Sequence, residues 1–221
     1  MKRYWLSLVT IFTLTATLAL CGCGKNGDAT ETTDAADATD VADAAGKAAD
    51  KAVVMIIAPQ KFRDEELFDT KKVLEDAGAT VKVASTSLDE ATGMLRGTVT
   101  PDILVKDVKV ADYDAVIFIG GSGASVYWDD ATAHAIAKET VKADKVLGAI
   151  CIAPVTLAKA GVLKDKNATV WKSEKQKLED AGATYTGAAV EVDGKIITAN
   201  GPKAAKQFGR AIANALAVAD E

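Results

Sequence analysis

Cys151 is the side chain of this sequence best suited to chemistry, because it ends the apolar run of VLGAICIAP (residues 146–154) at a point where a helix begins. Ala149 and Ala153 lie two residues before and two residues after it. A nucleophile elbow requires this spacing of small residues, since its strained turn brings the flanking residues close together. Pro154 suits the first turn of a helix whose positive end would favour a thiolate able to attack a carbonyl or acyl carbon. The spacing alone leaves open the alternative of an inert core thiol, since free cysteine is among the most buried residue types.

Cys151 is expected to lack a disulfide partner in its own chain, because the other two cysteines lie in the amino-terminal leader. The leader has a positive start, MKR, followed by an apolar segment at residues 4–20, as in secretory signal peptides. Its end, LCGC (residues 20–23), resembles the lipobox of bacterial lipoproteins, which implies that Cys23 is acylated and anchors the protein to a membrane by lipid. Acylation of Cys21 fits that pattern less well, because a bulky leucine would precede it. Plain secretion and an uncleaved anchor helix remain alternatives.

Residues 24–50 have the composition of a disordered tether between the leader, residues 1–23, and a globular domain at residues 51–221. The tether is almost entirely Ala, Asp, Thr and Gly, so it cannot bury enough apolar surface to offset the entropy of ordering it. Its net charge is −5 and that of the leader is +2, which leaves −2 of the total of −5 for the domain. Such a domain is not expected to bind nucleic acid. The three segments together predict an exported protein held at the cell envelope.

The domain alternates short apolar runs with segments of helical period, and this alternation predicts an α/β fold. Strands are predicted at residues 52–58, 81–85, 114–119 and 145–150, with a shorter one at 168–171. Helices are predicted at residues 64–77, 129–143, 153–160 and 203–218. The segment VEVDGKIIT (residues 190–198) predicts a hairpin with the two-residue turn Asp193-Gly194. The expected architecture is a mostly parallel central sheet with helices on both faces, which places Cys151 at the carboxyl end of a strand.

The heptapeptide LEDAGAT occurs twice, at residues 74–80 and 178–184. Each copy is expected to end a helix with acids and Ala, to place its Gly in a left-handed cap and then to begin a strand. Because this is a common local solution, the repeat is better explained by local structure than by a duplication.

Three segments make the domain similar to the ThiJ/PfpI superfamily over nearly all of residues 52–218. They are FRDEEL (residues 62–67), IFIGGSG (117–123) and GAICIAPVTLAKAGVL (148–163). The resemblance implies the glutamine-amidotransferase-like fold, which is a flavodoxin-like three-layer sandwich. It also implies that Cys151 is functional.

The same resemblance assigns roles to the residues around the thiol. Glu66 matches the acid that hydrogen-bonds the elbow sulfur in the family, and a carboxyl in a dry cleft has a raised pKa and can donate to that sulfur. The backbone N–H groups of Gly121 and Ile152 are expected to form an oxyanion pocket. Gly120 and Trp171 are candidates for lining the cleft.

The acids of FRDEEL also have a simpler explanation, because acids that open a helix are favoured by its dipole. We expect a functional role for Glu66 and the simpler explanation for Asp64 and Glu65.

Three positions depart from the family pattern. Arg63 stands where many protease-like relatives have Glu, Ile152 where peptidase-like relatives have His, and Trp171 where relatives often have His or Tyr. The only histidine, His134, lies in an Ala-rich predicted helix and is expected at the surface or at an interface. A Cys-His dyad is therefore not expected, and peptidase activity is doubtful.

Neither a cofactor nor a metal is expected. The sequence Gly121-Ser122-Gly123 imitates the start of a dinucleotide fingerprint, but position 126 is Val and no P-loop lysine follows. No cluster of His, Cys or carboxylate side chains has the spacing of a metal site.

Three functions remain open at this point. The first is an enzyme in which Cys151 attacks a small carbonyl or acyl substrate, with glyoxalase-like, deglycase-like or hydrolase chemistry implied by the resemblance. The second is an oxidation sensor that forms a Cys151 sulfinate stabilised by Glu66. The third is a binding module that kept the fold and lost the chemistry. The resemblance further implies a homo-oligomer.

Overall fold

The computed structural model describes residues 48–218. The predicted leader, its lipidated Cys23 and residues 24–47 of the predicted tether lie outside the described residues. Ala48 is fully buried, and its backbone N–H donates to the carbonyl of Ala77 at 2.9 Å. The packed structure therefore includes Ala48, which belongs to the segment that was predicted as a disordered tether.

The described residues alternate between strands and helices. The strands are Ala52–Ile56 (β1), Gln60–Phe62 (β2), Thr80–Ser85 (β3), Ala91–Gly93 (β4), Thr98–Val99 (β5), Ile103–Leu104 (β6), Ala115–Phe118 (β7), Val146–Ile150 (β8), Asn167–Ala168 (β9), Thr184–Tyr185 (β10), Val190–Asp193 (β11) and Ile196–Ala199 (β12). The helices are Asp64–Asp76 (α1), Ala131–Lys142 (α2), Pro154–Lys159 (α3), Lys175–Asp180 (α4) and Ala205–Val218 (α5). Short 3-10 helices occupy Val105–Asp107, Val110–Asp112, Ser122–Tyr127, Lys172–Glu174 and Pro202–Ala204.

A seven-stranded sheet in the order β11-β12-β8-β7-β1-β3-β6 forms the middle layer. Its neighbouring strands are parallel except for the hairpin β11–β12. The predicted mostly parallel sheet is thus confirmed. Because β1, β7 and β8 are parallel neighbours, the segments that follow them meet at one edge of the sheet.

The hairpin forms where it was predicted, but its turn lies one residue later. Asp193 pairs with Ile196, so the two loop residues are Gly194 and Lys195. Gly194 has a φ of 63°, and this first loop position is the one that requires a left-handed residue in a turn of the II′ type.

The sheet buries side chains on both of its faces. In β1, Val53 and Met55 belong to the core that contains Leu67 of α1 and Phe208 of α5. The alternate residues of β1 belong to the opposite core; its members include Val54, Ile56, Ile136 of α2 and Leu157 of α3. This alternation follows from the two-residue period of a strand, and it confirms the three-layer sandwich.

Two smaller sheets, β2-β4-β5 and β9-β10, were not fully predicted. Their strands have two or three residues each, which is too short for an apolar period to show in a sequence. β2 matters for the site, because it leads directly into α1.

Candidate active site

Cys151 follows the last residue of β8 and adopts a φ of 63°. This left-handed conformation is uncommon for a residue with a side chain and is a mark of functional turns. Strand β12 and the segment after β9 hold the strained residue in place, because its N–H donates to the carbonyl of Ala199 at 2.9 Å and its carbonyl accepts the N–H of Trp171 at 2.8 Å. The predicted elbow geometry is therefore present, with Pro154 opening the helix that follows.

Gly120, two residues after the end of β7, allows the elbow to approach α1. A Cβ at this position would lie 2.5 Å from Cβ of Cys151 and 2.6 Å from Oε2 of Glu66. Gly121 has a φ of 91°, and a Cβ there would lie 2.4 Å from the backbone N of Arg63. The Gly-Gly turn thus brings three chain segments within contact distance at the sheet edge.

Glu66 is fully buried in the first turn of α1. Its Oε2 accepts the backbone N–H of Gly120 at 3.1 Å. Its Oε1 is buried, and no nitrogen or oxygen donor among the described residues reaches it. The Cys151 thiol interacts with the same carboxyl. The structure thus places Glu66 beside the thiol, with its carboxyl held by the Gly-Gly turn.

Burial controls the protonation of this pair. It raises the pKa of the Glu66 carboxyl to about 8. It also raises the pKa of the Cys151 thiol to about 12, with a further contribution from the Glu66 charge. The backbone N–H groups of Gly121 and Ile152 lie against the sulfur and act in the opposite direction. Desolvation thus outweighs the helix start, and the expectation that this helix favours a thiolate is not met.

The titrations of the two groups are coupled, because a negative charge on one of them raises the pKa of the other. Near pH 8 the pair loses its first proton. The remaining proton then lies mainly on the Cys151 sulfur, whose pKa is the higher of the two, and the thiolate beside a neutral carboxyl is a minor state of the same net charge. Hydrogen bonds from Gly121 and Ile152 stabilise that thiolate.

A cavity of about 540 Å³ opens above the thiol. Its lining includes Arg63, Met94, Trp128 and Trp171. Trp171 is 47% exposed, and its indole ring would be within 2.8 Å of a Cβ at Gly201. The prediction that Trp171 lies in the cleft agrees with this placement.

Gly120 was predicted as a cleft-lining residue as well, and this was wrong. It is buried beneath Cys151 and Glu66, whereas the next residue, Gly121, reaches the cavity. The physical reason is the absent side chain, which lets the thiol and the carboxyl close over its backbone.

Trp128 forms one wall of the cavity and also holds the elbow. Its indole N–H donates to the carbonyl of Ile152 at 3.2 Å, on the residue whose N–H faces the sulfur. The His134 ring nitrogen Nε2 donates in turn to the carbonyl of Trp128 at 2.9 Å. His134 is thus a half-buried support behind the wall, and no Cys-His dyad forms.

Asp64 has a structural role that sequence reasoning missed. It is buried, and its carboxylate accepts the backbone N–H groups of Leu95 at 2.8 Å and Gly97 at 2.7 Å. This loop carries Met94 to the cavity. An acid in a helix first turn gives no sequence signal that distinguishes such a loop anchor from a helix-dipole residue.

Two other features of residues 48–218 lack the groups that a metal site or a nucleophilic site would need. No group of three or more acids, histidines and cysteines in this part of the chain could hold a metal ion. A cavity of about 620 Å³ between the β11–β12 hairpin and α5 is lined by no acid or thiol. None of the helices described has the length and apolarity needed to cross a membrane.

Comparison with known proteins identifies the family of the domain. The model of the DJ-1/PfpI family matches residues 51–215. An uncharacterized protein of Methanocaldococcus jannaschii is 42% identical over 167 residues, which cover 74% of this chain and 82% of that protein. A glutathione-independent glyoxalase of Caenorhabditis elegans is 28% identical over 76% of this chain and 90% of that protein.

A solved structure shows the same fold. The crystal structure of a ThiJ/PfpI domain protein from Brachyspira murdochii has a TM-score of 0.73 and 34% identity, and it covers 75% of this chain and 95% of that chain. The family match spans the elbow, the Gly-Gly turn and the buried glutamate. The chain described here is therefore a member of the DJ-1/PfpI family.

Proposed function

We propose that the protein is a thiol-dependent enzyme that acts on small carbonyl or acyl compounds. The observation that carries this proposal is the buried pair of Cys151 and Glu66, in which Cys151 lines a cavity and two backbone N–H groups are directed at its sulfur. The glyoxalase named among the relatives is consistent with carbonyl chemistry.

The pair supports a step in which one proton moves and one bond forms. With one proton on the pair, the sulfur of Cys151 adds to the carbonyl carbon and the π electrons of the C=O bond become an oxyanion. The N–H groups of Gly121 and Ile152 stabilise that oxygen. The proton from the thiol, held by Glu66, then passes to the oxyanion and leaves a neutral hemithioacetal with an ionised carboxylate.

Turnover tests the proposal directly. Purified protein would be assayed with methylglyoxal and with p-nitrophenyl acetate, and we expect Cys151→Ser to lower kcat/KM by about 1000-fold or more, since removing a nucleophile removes the covalent path. Glu66→Gln should lower it by about 100-fold, in the range of a positioned acid or base, and should remove the rise in rate between pH 7 and 9. Cys151→Ser with the activity of the wild type on both substrates would refute the proposal. No turnover at all, with a thiol inert to alkylation, would favour a binding module.

A second candidate function is oxidation sensing, favoured by a carboxyl that lies beside the thiol and keeps its proton to about pH 8. Two equivalents of hydrogen peroxide would convert the Cys151 thiol to a sulfinic acid with release of two water molecules. A neutral Glu66 would donate a hydrogen bond to the sulfinate. Intact-mass analysis after mild peroxide should show two added oxygens, and fewer in Glu66→Gln; an unchanged mass would exclude this function.

We also propose that the domain is exported and lipid-anchored through Cys23, on the basis of the LCGC sequence at residues 20–23. Membrane fractionation of the full chain should place the wild type in the membrane pellet and Cys23→Ser in the soluble fraction. Equal distribution of the two proteins would argue against the anchor.

A further inference from the structure

Arg63 is the departure from the family pattern that the proposed chemistry does not use. It immediately precedes α1, and its backbone N–H donates to the carbonyl of Gly120 at 3.0 Å, next to the thiol. Its side chain is 27% exposed and lines the same cavity as Cys151. A permanent positive charge therefore stands at the opening above the nucleophile.

The guanidinium is held in one orientation by Glu65. Its Nη2 donates to Oε1 of Glu65 at 2.9 Å, and its Nε lies 2.8 Å from Oε2. This contact involves Nη2 and Nε but not Nη1, so Glu65 does not occupy the edge formed by Nη1 and Nη2. Arginine commonly binds a second carboxylate through that edge, in a bidentate geometry that lysine cannot reproduce.

The other acids near the cavity do not neutralise the positive charge of Arg63, so this charge can attract a bound anion. Glu66 beneath the cavity is neutral below about pH 8, so it does not cancel the guanidinium charge. Glu174, another acid in the lining, is already occupied by Lys177 and by the hydroxyl of Ser173. The pair between Arg63 and Glu65 is partly exposed, and pairs of this kind are weak enough to share a partner.

We propose that Arg63 is a specificity-determining residue that binds a carboxylate on the substrate, so that the site selects small carbonyl or acyl compounds that carry a negative charge. This inference rests on the proposed function for the identity of the reacting group. It does not rest on turnover, because anion binding beside Cys151 can be measured by itself.

Two alkylating probes that differ in charge separate the effects. Iodoacetate and iodoacetamide both transfer their methylene carbon to the sulfur with loss of iodide, but only iodoacetate carries a carboxylate. The ratio of their rate constants at Cys151, followed by mass spectrometry of the peptide that contains residues 146–159, cancels any change in the reactivity of the thiol. We expect Arg63→Gln to lower the ratio of iodoacetate to iodoacetamide by about tenfold, the effect of losing one charge-assisted contact.

Three further variants make the result specific. Arg63→Gln combined with Glu65→Gln restores the net charge and should keep the lowered ratio, since the guanidinium itself is required. Glu65→Gln keeps Arg63 and removes its competitor, so the ratio should rise about two- to threefold. Arg63→Lys should give an intermediate ratio, because a point charge lacks the planar fork.

The inference is overturned if the ratio in Arg63→Gln equals that of the wild type, or if the double variant recovers the wild-type ratio, which would indicate only a general effect of net charge. Failure of the proposed function looks different. In that case no substrate is turned over, yet the ratio still depends on Arg63.

Discussion

The floor of the Cys151 cavity and its rim show opposite electrostatics, although consecutive residues of one chain segment contribute to both. The floor, made of Cys151, Glu66 and Gly120, is buried, and its two titratable groups are held in their neutral forms. The rim is represented by Arg63 and Glu65, which stay partly exposed and keep an ion pair. Burial, and not residue type, therefore decides whether a glutamate at this site is neutral, as Glu66 is, or ionised, as Glu65 is in its ion pair.

The two regions also differ in how tightly they are packed. The floor leaves no space for one added carbon atom at Gly120. The rim surrounds a cavity of about 540 Å³ and includes the exposed indole of Trp171. Substitutions in the floor should therefore change stability strongly, while substitutions in the rim should change mainly what is bound.

The largest effect is expected for Gly120→Ala. Its new Cβ would overlap Cys151 and Glu66, so the elbow and α1 must move apart, at a cost of about 3 kcal/mol in the free energy of unfolding. Gly161→Ala is the matched control, since nothing lies within 4 Å of that Cβ and only its positive φ costs energy, about 1 kcal/mol. Urea denaturation of the two variants measures the difference. Equal losses would show that the floor is not tightly packed.

Glu66→Gln is expected to stabilise the protein in a pH-dependent way. The folded carboxyl has a pKa of about 8, against 4.5 for an unperturbed glutamate, so the folded state holds an extra proton between these values. Wild-type stability should therefore fall as pH rises from about 4.5 to 8, and the amide removes that loss. Since one pKa unit corresponds to about 1.4 kcal/mol, we expect a gain of about 2 to 3 kcal/mol at pH 8.5 after allowance for relaxation of the site.

The measurement for Glu66→Gln is a pair of urea titrations, at pH 5 and at pH 8.5. The variant should differ little from the wild type at pH 5 and exceed it at pH 8.5. A variant that is less stable at both pH values would mean that the buried carboxyl contributes favourably as an anion.

Asp64→Asn tests a buried acid whose carboxylate is hydrogen-bonded by backbone N–H groups. Both carboxylate oxygens of Asp64 accept backbone N–H groups, so an amide would present a donor to one of them. We expect a loss of about 1.5 kcal/mol, which is the cost of one buried donor left without an acceptor. The same variant should increase hydrogen exchange at Leu95 and Gly97, and unchanged exchange there would contradict the loop-anchor role.

Glu65→Gln is expected to have the smallest effect on stability. Its ion pair with Arg63 is partly exposed, and pairs of this kind contribute about 0.5 kcal/mol or less. Thermal unfolding in low and high salt should show a difference that salt reduces further. A loss comparable to the change seen with Glu66→Gln would mean that the rim is as desolvated as the floor.

The sequence alone predicted the parts of this fold that depend on local patterns. Both copies of LEDAGAT end a helix, place Gly78 or Gly182 in a left-handed conformation and start a strand at Thr80 or Thr184. The elbow was predictable for the same reason, since small residues at fixed spacing around Cys151 describe a local backbone constraint. The local pattern did not predict which sheet each strand joins, because the strand after the first copy belongs to the central sheet and the strand after the second copy to the two-stranded sheet.

The local sequence pattern could not predict which of the three consecutive acids lies beside the thiol. The family resemblance pointed to Glu66, but nothing local to FRDEEL distinguishes an acid that is buried from one that anchors a loop or pairs with arginine. The small strands and the position of Gly120 beneath Cys151 and Glu66 also escaped prediction, because both depend on contacts between distant segments.

The amino-acid sequence thus determined where the chain turns and which side chain could act as the nucleophile, because turns and elbows are set by neighbouring residues. Only the tertiary structure decided the protonation of that nucleophile and of its acid. Desolvation at Cys151 and Glu66 is the sum of contacts from β8, α1 and the Gly-Gly turn, which are far apart in the chain and meet only when the sheet has formed.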